Sequence, residues 1–228
     1  MPWTYADVAK MIDHSLLRPV LKADELEAGC RLARAYDVAS VCILPYAVGR
    51  AAELLAGSSV VPSTTIGFPH GGHASRVKAF EAERALDDGA RELDMVVNIS
   101  RVLSGDWGYV RDDIRAVLDP THGRGAKLKV IFENCYLADA QKVRLCEIGG
   151  ELRVDWVKTS TGFGTGGATD EDLVLMRKQS PPHVQVKAAG GVRDLDRLLR
   201  VRELGCTRSG ATATKAILDE ARHRLATA

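Results

Sequence analysis

Several short Val- and Ile-rich runs in this 228-residue chain carry charged side chains where apolar ones are the rule for a sheet covered on both faces. Asp94 lies inside R-E-L-D-M-V-V-N, between Leu93 and Met95. Lys129 and Glu133 flank Ile131 in L-K-V-I-F-E-N with the two-residue repeat of a strand, which puts both on one face. Lys158 ends V-D-W-V-K with the parity of Trp156, and Lys187 follows Val-Gln-Val in V-Q-V-K-A-A-G-G. Four successive runs therefore place an ionisable group at or near the carboxyl end. Structural ion pairs filling an interior would explain any one of them. The set points instead to a reacting site.

Two lysines at the ends of neighbouring strands, about 4.8 Å apart, could bring their nitrogens within roughly 5 Å. At an effective dielectric near 20 their repulsion would be about 3 kcal/mol, or roughly two pKa units, and desolvation pushes the same way. An ordinary lysine is neutral in only about 1 part in 2,500 at pH 7, so a shift to about 7 to 8 raises the nucleophilic fraction a few hundredfold. Lys158 beside Lys187 thus reads as a Schiff-base nucleophile with its pKa-lowering neighbour.

These residues need a scaffold that places strand ends together. Strand-like runs recur at Met11–Ser15, Val41–Leu44, Val60–Gly67, Glu92–Asn98, Leu128–Glu133, Val154–Thr159, Val184–Ala188 and Cys206–Ser209, eight in all. Helical periodicity fills the gaps, as in Leu26, Cys30, Ala33 and again in Ile217, Leu218, Ala221, Leu225. Strict alternation without a Pro-rich, Ser-rich or charged linker predicts one (β/α)8 TIM barrel over residues 1–228, with an open doubly wound sheet as the alternative. An extra N-terminal helix from Thr4 to Met11 precedes it, with Thr4 as N-cap and Asp7 in the capping-box position.

Glycine-rich turns follow the last three runs: S-T-G-F-G-T-G-G, which includes Thr161 and Gly162; A-A-G-G-V-R-D, with Gly190, Gly191 and Val192; and R-S-G-A-T-A-T, with Gly210 and Thr212. Backbone N–H groups in such turns can approach an anion, and barrels often bind phosphate after strands seven and eight. The glycines could instead only close tight turns. Gly162, Gly164 and Gly167 also satisfy G-x-G-x-x-G, but they follow the sixth run and the next one ends in Lys187, not an acid, so a dinucleotide site is not expected. His70 and His73 lack a carboxylate partner for a metal, and Cys42 in V-C-I-L-P reads as core packing.

Lys plus Arg number 31 against 30 Asp plus Glu, a balance without the one-signed field of a nucleic-acid or anionic-membrane binder. The five cysteines are scattered and form no C-x-x-C pair, and no leader or spanning segment is visible, so a cytoplasmic protein is expected.

Together I-D-H-S-L-L-R-P, V-C-I-L-P, I-G-F-P-H-G, E-L-D-M-V-V-N, L-K-V-I-F-E, V-K-T-S-T-G-F-G, V-K-A-A-G-G-V-R and T-R-S-G-A-T resemble, in order over about 200 residues, the deoxyribose-phosphate aldolases. The resemblance implies a class I aldolase, without metal or other cofactor, that reversibly cleaves 2-deoxy-D-ribose 5-phosphate to D-glyceraldehyde 3-phosphate and acetaldehyde. It implies Lys158 as the Schiff-base lysine, Lys187 as the second lysine, Asp94 as the proton-relay carboxylate, and Asp13 and Lys129 as pocket-lining groups. In the implied cycle an iminium at C1 is the electron sink for scission of the C3–C4 bond. A homodimer is the expected assembly. The sequence departs from the family in F-E-N-C-Y, where many members carry Thr-Gly after the glutamate, and in S-G-A-T-A, where Thr212 keeps one hydroxyl and Ala213 lacks a second. Another Schiff-base aldolase for a phosphorylated sugar, or a sugar-phosphate binder without catalysis, are the competing readings.

Overall fold

A computed structural model describes residues 3–227. Eight parallel strands close on themselves in sequence order: β1 (Ile12–Leu16), β2 (Ser40–Ile43), β3 (Val61–Ile66), β4 (Glu92–Val96), β5 (Lys127–Ile131), β6 (Trp156–Lys158), β7 (Gln185–Ala189) and β8 (Arg208–Ala211). The closure pairs Asp13 with Gly210 and His14 with Ala211. The barrel expectation therefore holds and the open sheet does not.

The helices outside it are α1 (Tyr5–Ala9), α2 (Ala23–Ala35), α3 (Val48–Leu55), α4 (Ser75–Asp87), α5 (Ile99–Leu103), α6 (Trp107–Gly123), α7 (Asp139–Leu152), α8 (Asp170–Gln179), α9 (Leu195–Glu203) and α10 (Thr214–Ala226). Their apolar stripes face the strands: Leu26, Cys30 and Ala33 of α2 and Ile217, Leu218 and Ala221 of α10 are buried in one continuous core. Side-chain caps start several of them. Thr4 accepts from the Asp7 amide while the Asp7 carboxylate accepts from Thr4 N at 2.7 Å, which is the expected capping box of α1. Asp106, Thr169 and Asp194 start α6, α8 and α9 with a single cap, each side-chain oxygen accepting from the amide three residues on. No helix among the described residues is long and apolar enough to cross a membrane.

Every strand is offset from its expected bounds by one or two residues at one end or both, and three of these ends bear on the site or its loops. Val97 and Asn98 lie beyond β4 because the Asn98 side chain accepts from Arg101 N at 3.2 Å and caps α5. Glu133 lies beyond β5 in the left-handed region, φ +58°, and so leaves the strand parity it was expected to share with Lys129. Strand β8 begins two residues later than expected, at Arg208. Asp94, Lys129 and Lys187 are the middle residues of their strands, so of the four only Lys158 ends its strand.

Candidate active site

The strand registers bring the sequence-predicted ionisable residues into the barrel interior. Asp94 is opposite Lys129 across β4–β5, and Lys158 is opposite Lys187 across β6–β7. Lys158 Nζ and Lys187 Nζ each lie 2.7 Å from Asp94 Oδ2, and Lys129 Nζ donates to Asp94 Oδ1 at 2.8 Å. The two catalytic-candidate nitrogens share one acceptor oxygen and are therefore no farther apart than twice that distance. Asp13 on β1 completes the cluster: its carboxylate lies 2.5 Å from Lys187 Nζ and 3.5 Å from Lys129 Nζ.

All of these groups are buried, and burial acts in opposite directions on acids and bases. For Lys158, burial is the first cause of a pKa below the usual lysine value; the Asp94 carboxylate opposes it, and the Lys187 charge lowers it further. This reorders the expected electrostatics, in which repulsion between the lysines was the leading cause. For Lys187, burial works against the charge, but Asp13 and Asp94 overcome it and its pKa is raised. Asp94 stays ionised well below the usual carboxylate range because Lys129, Lys158 and Lys187 outweigh its burial. The cluster thus holds one lysine disposed to lose its proton beside another that keeps it.

Above it opens a cavity of about 330 Å3. Lys158, Lys187 and Asp13 line its base, and Thr161, Gly162, Gly190, Gly191, Val192, Gly210 and Thr212 line its wall, so every predicted loop residue is brought together. Lys129 is not among the lining residues. It is wholly buried below, held by Glu92 at 2.6 Å and Asp94, because its mid-strand position puts it in a deeper layer than Lys158. Asp94 is likewise absent from the lining and reaches the cavity through the two lysine nitrogens.

The loop after β6 is shaped by contacts that explain its glycines. Glu133 accepts from the Thr161 hydroxyl and from Thr161 N at 3.2 Å, and Thr161 Oγ1 accepts from Phe163 N at 3.0 Å. A side chain at Gly167 would meet the Gly190 backbone at 2.8 Å, while Ala168 N donates to Ala189 O at 3.0 Å. The loops after β6 and β7 therefore touch backbone to backbone, which accounts for Gly167 without a dinucleotide. Gly190 and Gly191 have φ of +81° and +88°, a backbone conformation that favours glycine, and both line the cavity.

Other residues were missed or differ. Arg18, after β1, and Arg193, after β7, both line the cavity and neither has a carboxylate within 4 Å among the described residues. Loops after β1 and β7 flank the one after β8 only once the barrel closes, so no local signal placed the two guanidiniums together. Glu92 and Arg208 were also missed, although Glu92 precedes Asp94 by the two-residue strand repeat. Cys42, expected in the core, is buried but also lines the cavity; burial, with Asp94 next, pushes its thiol up to about 11. His70 and His73 are exposed in the loop after β3.

A pair of lysines on one carboxylate, under a cavity lined by glycine amides and two unpaired guanidiniums, suits carbonyl chemistry on an anionic substrate. Residues 8–217 match the family described as DeoC/LacD family aldolase. A deoxyribose-phosphate aldolase of Rhodopirellula baltica is 62% identical over 98% of this chain and 92% of that relative, and one of Thermococcus gammatolerans is 46% identical over 95% and 97%. Among solved structures, an aldolase called QR15 aligns with TM-score 0.92 at 34% identity over 97% of this chain and 98% of that one. A tetrameric deoxyribose phosphate aldolase of Aeropyrum pernix aligns with TM-score 0.88 at 26% identity over 96% and 92%. The chain belongs to the DeoC/LacD family of aldolases.

Proposed function

We infer that the protein is a class I deoxyribose-phosphate aldolase, cleaving 2-deoxy-D-ribose 5-phosphate reversibly to D-glyceraldehyde 3-phosphate and acetaldehyde, with Lys158 as the nucleophile. The observation that carries this reading is the shared Asp94 oxygen, which places a lysine of lowered pKa beside a charged one at the base of the cavity.

Neutral Lys158 adds to the C1 aldehyde, and the carbinolamine loses water to give an iminium. The C3 hydroxyl proton is removed as the bond between C2 and C3 breaks, and that electron pair moves to C2 and the iminium nitrogen as an enamine. The carbon count requires C2–C3 rather than C3–C4: acetaldehyde carries away two carbons, and C3 with its oxygen becomes the aldehyde of the three-carbon product. Protonation of the enamine carbon and hydrolysis then release acetaldehyde and free Lys158. Lys187 and Asp94 form the relay that carries these protons, with Lys187 facing the cavity and Asp94 bridging it to Lys158.

The phosphate end belongs at the loops after β7, β8 and β1. Amides near Gly190, Gly191 and Gly210, the Thr212 hydroxyl, and the guanidiniums of Arg193 and Arg18 support a dianion there. Asp13 and Lys129 then act at or below the base of the cavity, with Thr161 and Gly162 in its wall. The whole chain forms one catalytic domain in this reading. It works in the cytoplasm as a homodimer, supported by five free cysteines and by the exposed Tyr46, Val77 and Phe80. Release of acetaldehyde from 2-deoxy-D-ribose 5-phosphate, assayed beside other phosphorylated sugars, tests the assignment. Fast turnover of a different sugar phosphate in its place would overturn the substrate.

A further inference from the structure

The interior charges do not balance as pairs. Asp13, Glu92 and Asp94 supply three carboxylates, while Lys129, Lys158, Lys187 and Arg208 supply four bases, all within one network. At the barrel floor Arg208 donates to Glu92 at 2.8 Å and to Asp13 at 2.5 Å, with its guanidinium 5.0 Å from the Trp156 ring centroid. Lys129 is held by all three acids and Lys187 by Asp13 and Asp94, whereas Lys158 reaches Asp94 alone, an acid it shares with Lys129 and Lys187. An uncompensated buried charge is costly, so the network is neutral only when one base is uncharged, and the base without an acid of its own is Lys158.

We propose that Glu92 and Arg208 are positioning residues that set the protonation of Lys158 from the floor of the barrel, by fixing the balance between interior acids and bases. This rests on the reading of Lys158 as nucleophile and adds to it residues that touch no substrate: neither Glu92 nor Arg208 lines the cavity. Arg208 engages Asp13 and Glu92, and so withholds them as counter-charges for a protonated Lys158. Glu92 in turn holds Lys129 and Arg208, so that cation is not in excess. The other groups facing Lys158 are accounted for: Cys42 on β2 is a neutral thiol, and Glu133, above β5, is held by Thr161 outside the ion-pair network. Arg18 and Arg193 stand at the cavity wall.

The two residues carry opposite charges, so their neutral variants must act in opposite directions, which loss of packing would not do. The test is the pH dependence of kcat and of borohydride trapping of Lys158 with acetaldehyde, in the full chain. Glu92→Gln removes a negative charge and should move the acid limb down by roughly one pH unit. Arg208→Met should move it up by about as much and lower the rate at pH 7 about tenfold. Arg208→Lys, which keeps the charge, should leave the limb in place, and the double variant Glu92→Gln with Arg208→Met should return it toward the starting value. Shifts in the same direction, or an unmoved limb in both single variants, would overturn the proposal. Should the single variants not fold, lysine side-chain NMR of the unsubstituted protein decides. Lys158 losing its proton well before Lys129 and Lys187 supports the proposal, and joint titration, a normal Lys158 or earlier loss from either of the other two refutes it. If the unsubstituted enzyme is not trapped at Lys158 at all, the nucleophile assignment fails instead.

Discussion

Lys187 stands directly beside Lys158 across the β6–β7 pair, Cα opposite Cα, and the two side-chain nitrogens lie 2.7 Å from the same Asp94 oxygen. The pair is asymmetric despite this common partner. Lys187 also has Asp13 at 2.5 Å and keeps its charge, whereas burial leaves Lys158 with a lowered pKa. One nitrogen is a nucleophile and the other a proton carrier because their second neighbours differ.

Replacing the nucleophile separates chemistry from folding. Lys158→Ala should lower kcat by about 10^4-fold or more, since the covalent route is lost. The fold should persist, because removal of the base lacking its own acid leaves Asp94 compensated by Lys129 and Lys187. Circular dichroism and thermal melting beside the activity assay check both parts.

Replacing the neighbour changes the pH profile. Lys187→Met takes a positive charge from beside Lys158, so the Lys158 pKa should rise and activity at pH 7 should fall. The acid limb of kcat/KM should move to higher pH, on top of the loss of proton relay. An unmoved limb would show that the two lysines are not coupled.

The phosphate end can be tested apart from the reacting end. Arg18 is exposed and lines the cavity, and it is not part of the buried ion network. Arg18→Gln should raise KM for the phosphorylated sugar by roughly three- to tenfold with kcat little changed, while turnover of unphosphorylated 2-deoxyribose should be unaffected. Equal effects on both substrates would remove Arg18 from phosphate recognition.

Acid stability should depend on His14. Its ring Nδ1 lies 2.7 Å from Thr214 Oγ1, between β1 and the start of α10, and burial pushes its pKa from 6.5 to about 4. Between these values the unfolded chain binds a proton that the folded chain does not, so stability is lost as pH falls from about 6.5 toward 4, by roughly 2–3 kcal/mol. His14→Asn should flatten thermal stability across that window. A slope unchanged from the unsubstituted protein would place the acid sensitivity elsewhere.

The parts of the site that could be read from sequence are those that break a strand pattern. Asp94, Lys158 and Lys187 interrupt Val-rich runs, and a charge there has few explanations. The depth of each along the barrel was not readable, because depth depends on the stagger between strands; hence Lys129 was expected in the cavity wall and lies beneath it. Arg18, Arg193 and Arg208 carry no local signal, as arginines in loops and at strand starts are ordinary surface residues until closure of β8 onto β1 brings their segments together. Glu133 misled for a related reason: a single left-handed residue after β5 turns its carboxylate away from the strand row and onto Thr161.

The central claim, that Lys158 forms the covalent intermediate, is tested most directly by borohydride reduction of the protein with acetaldehyde, followed by peptide mass spectrometry. The account predicts one added ethyl group, on the peptide that contains Lys158, and none in Lys158→Ala. A folded protein that gains no ethyl group, or gains it on another lysine, would contradict it.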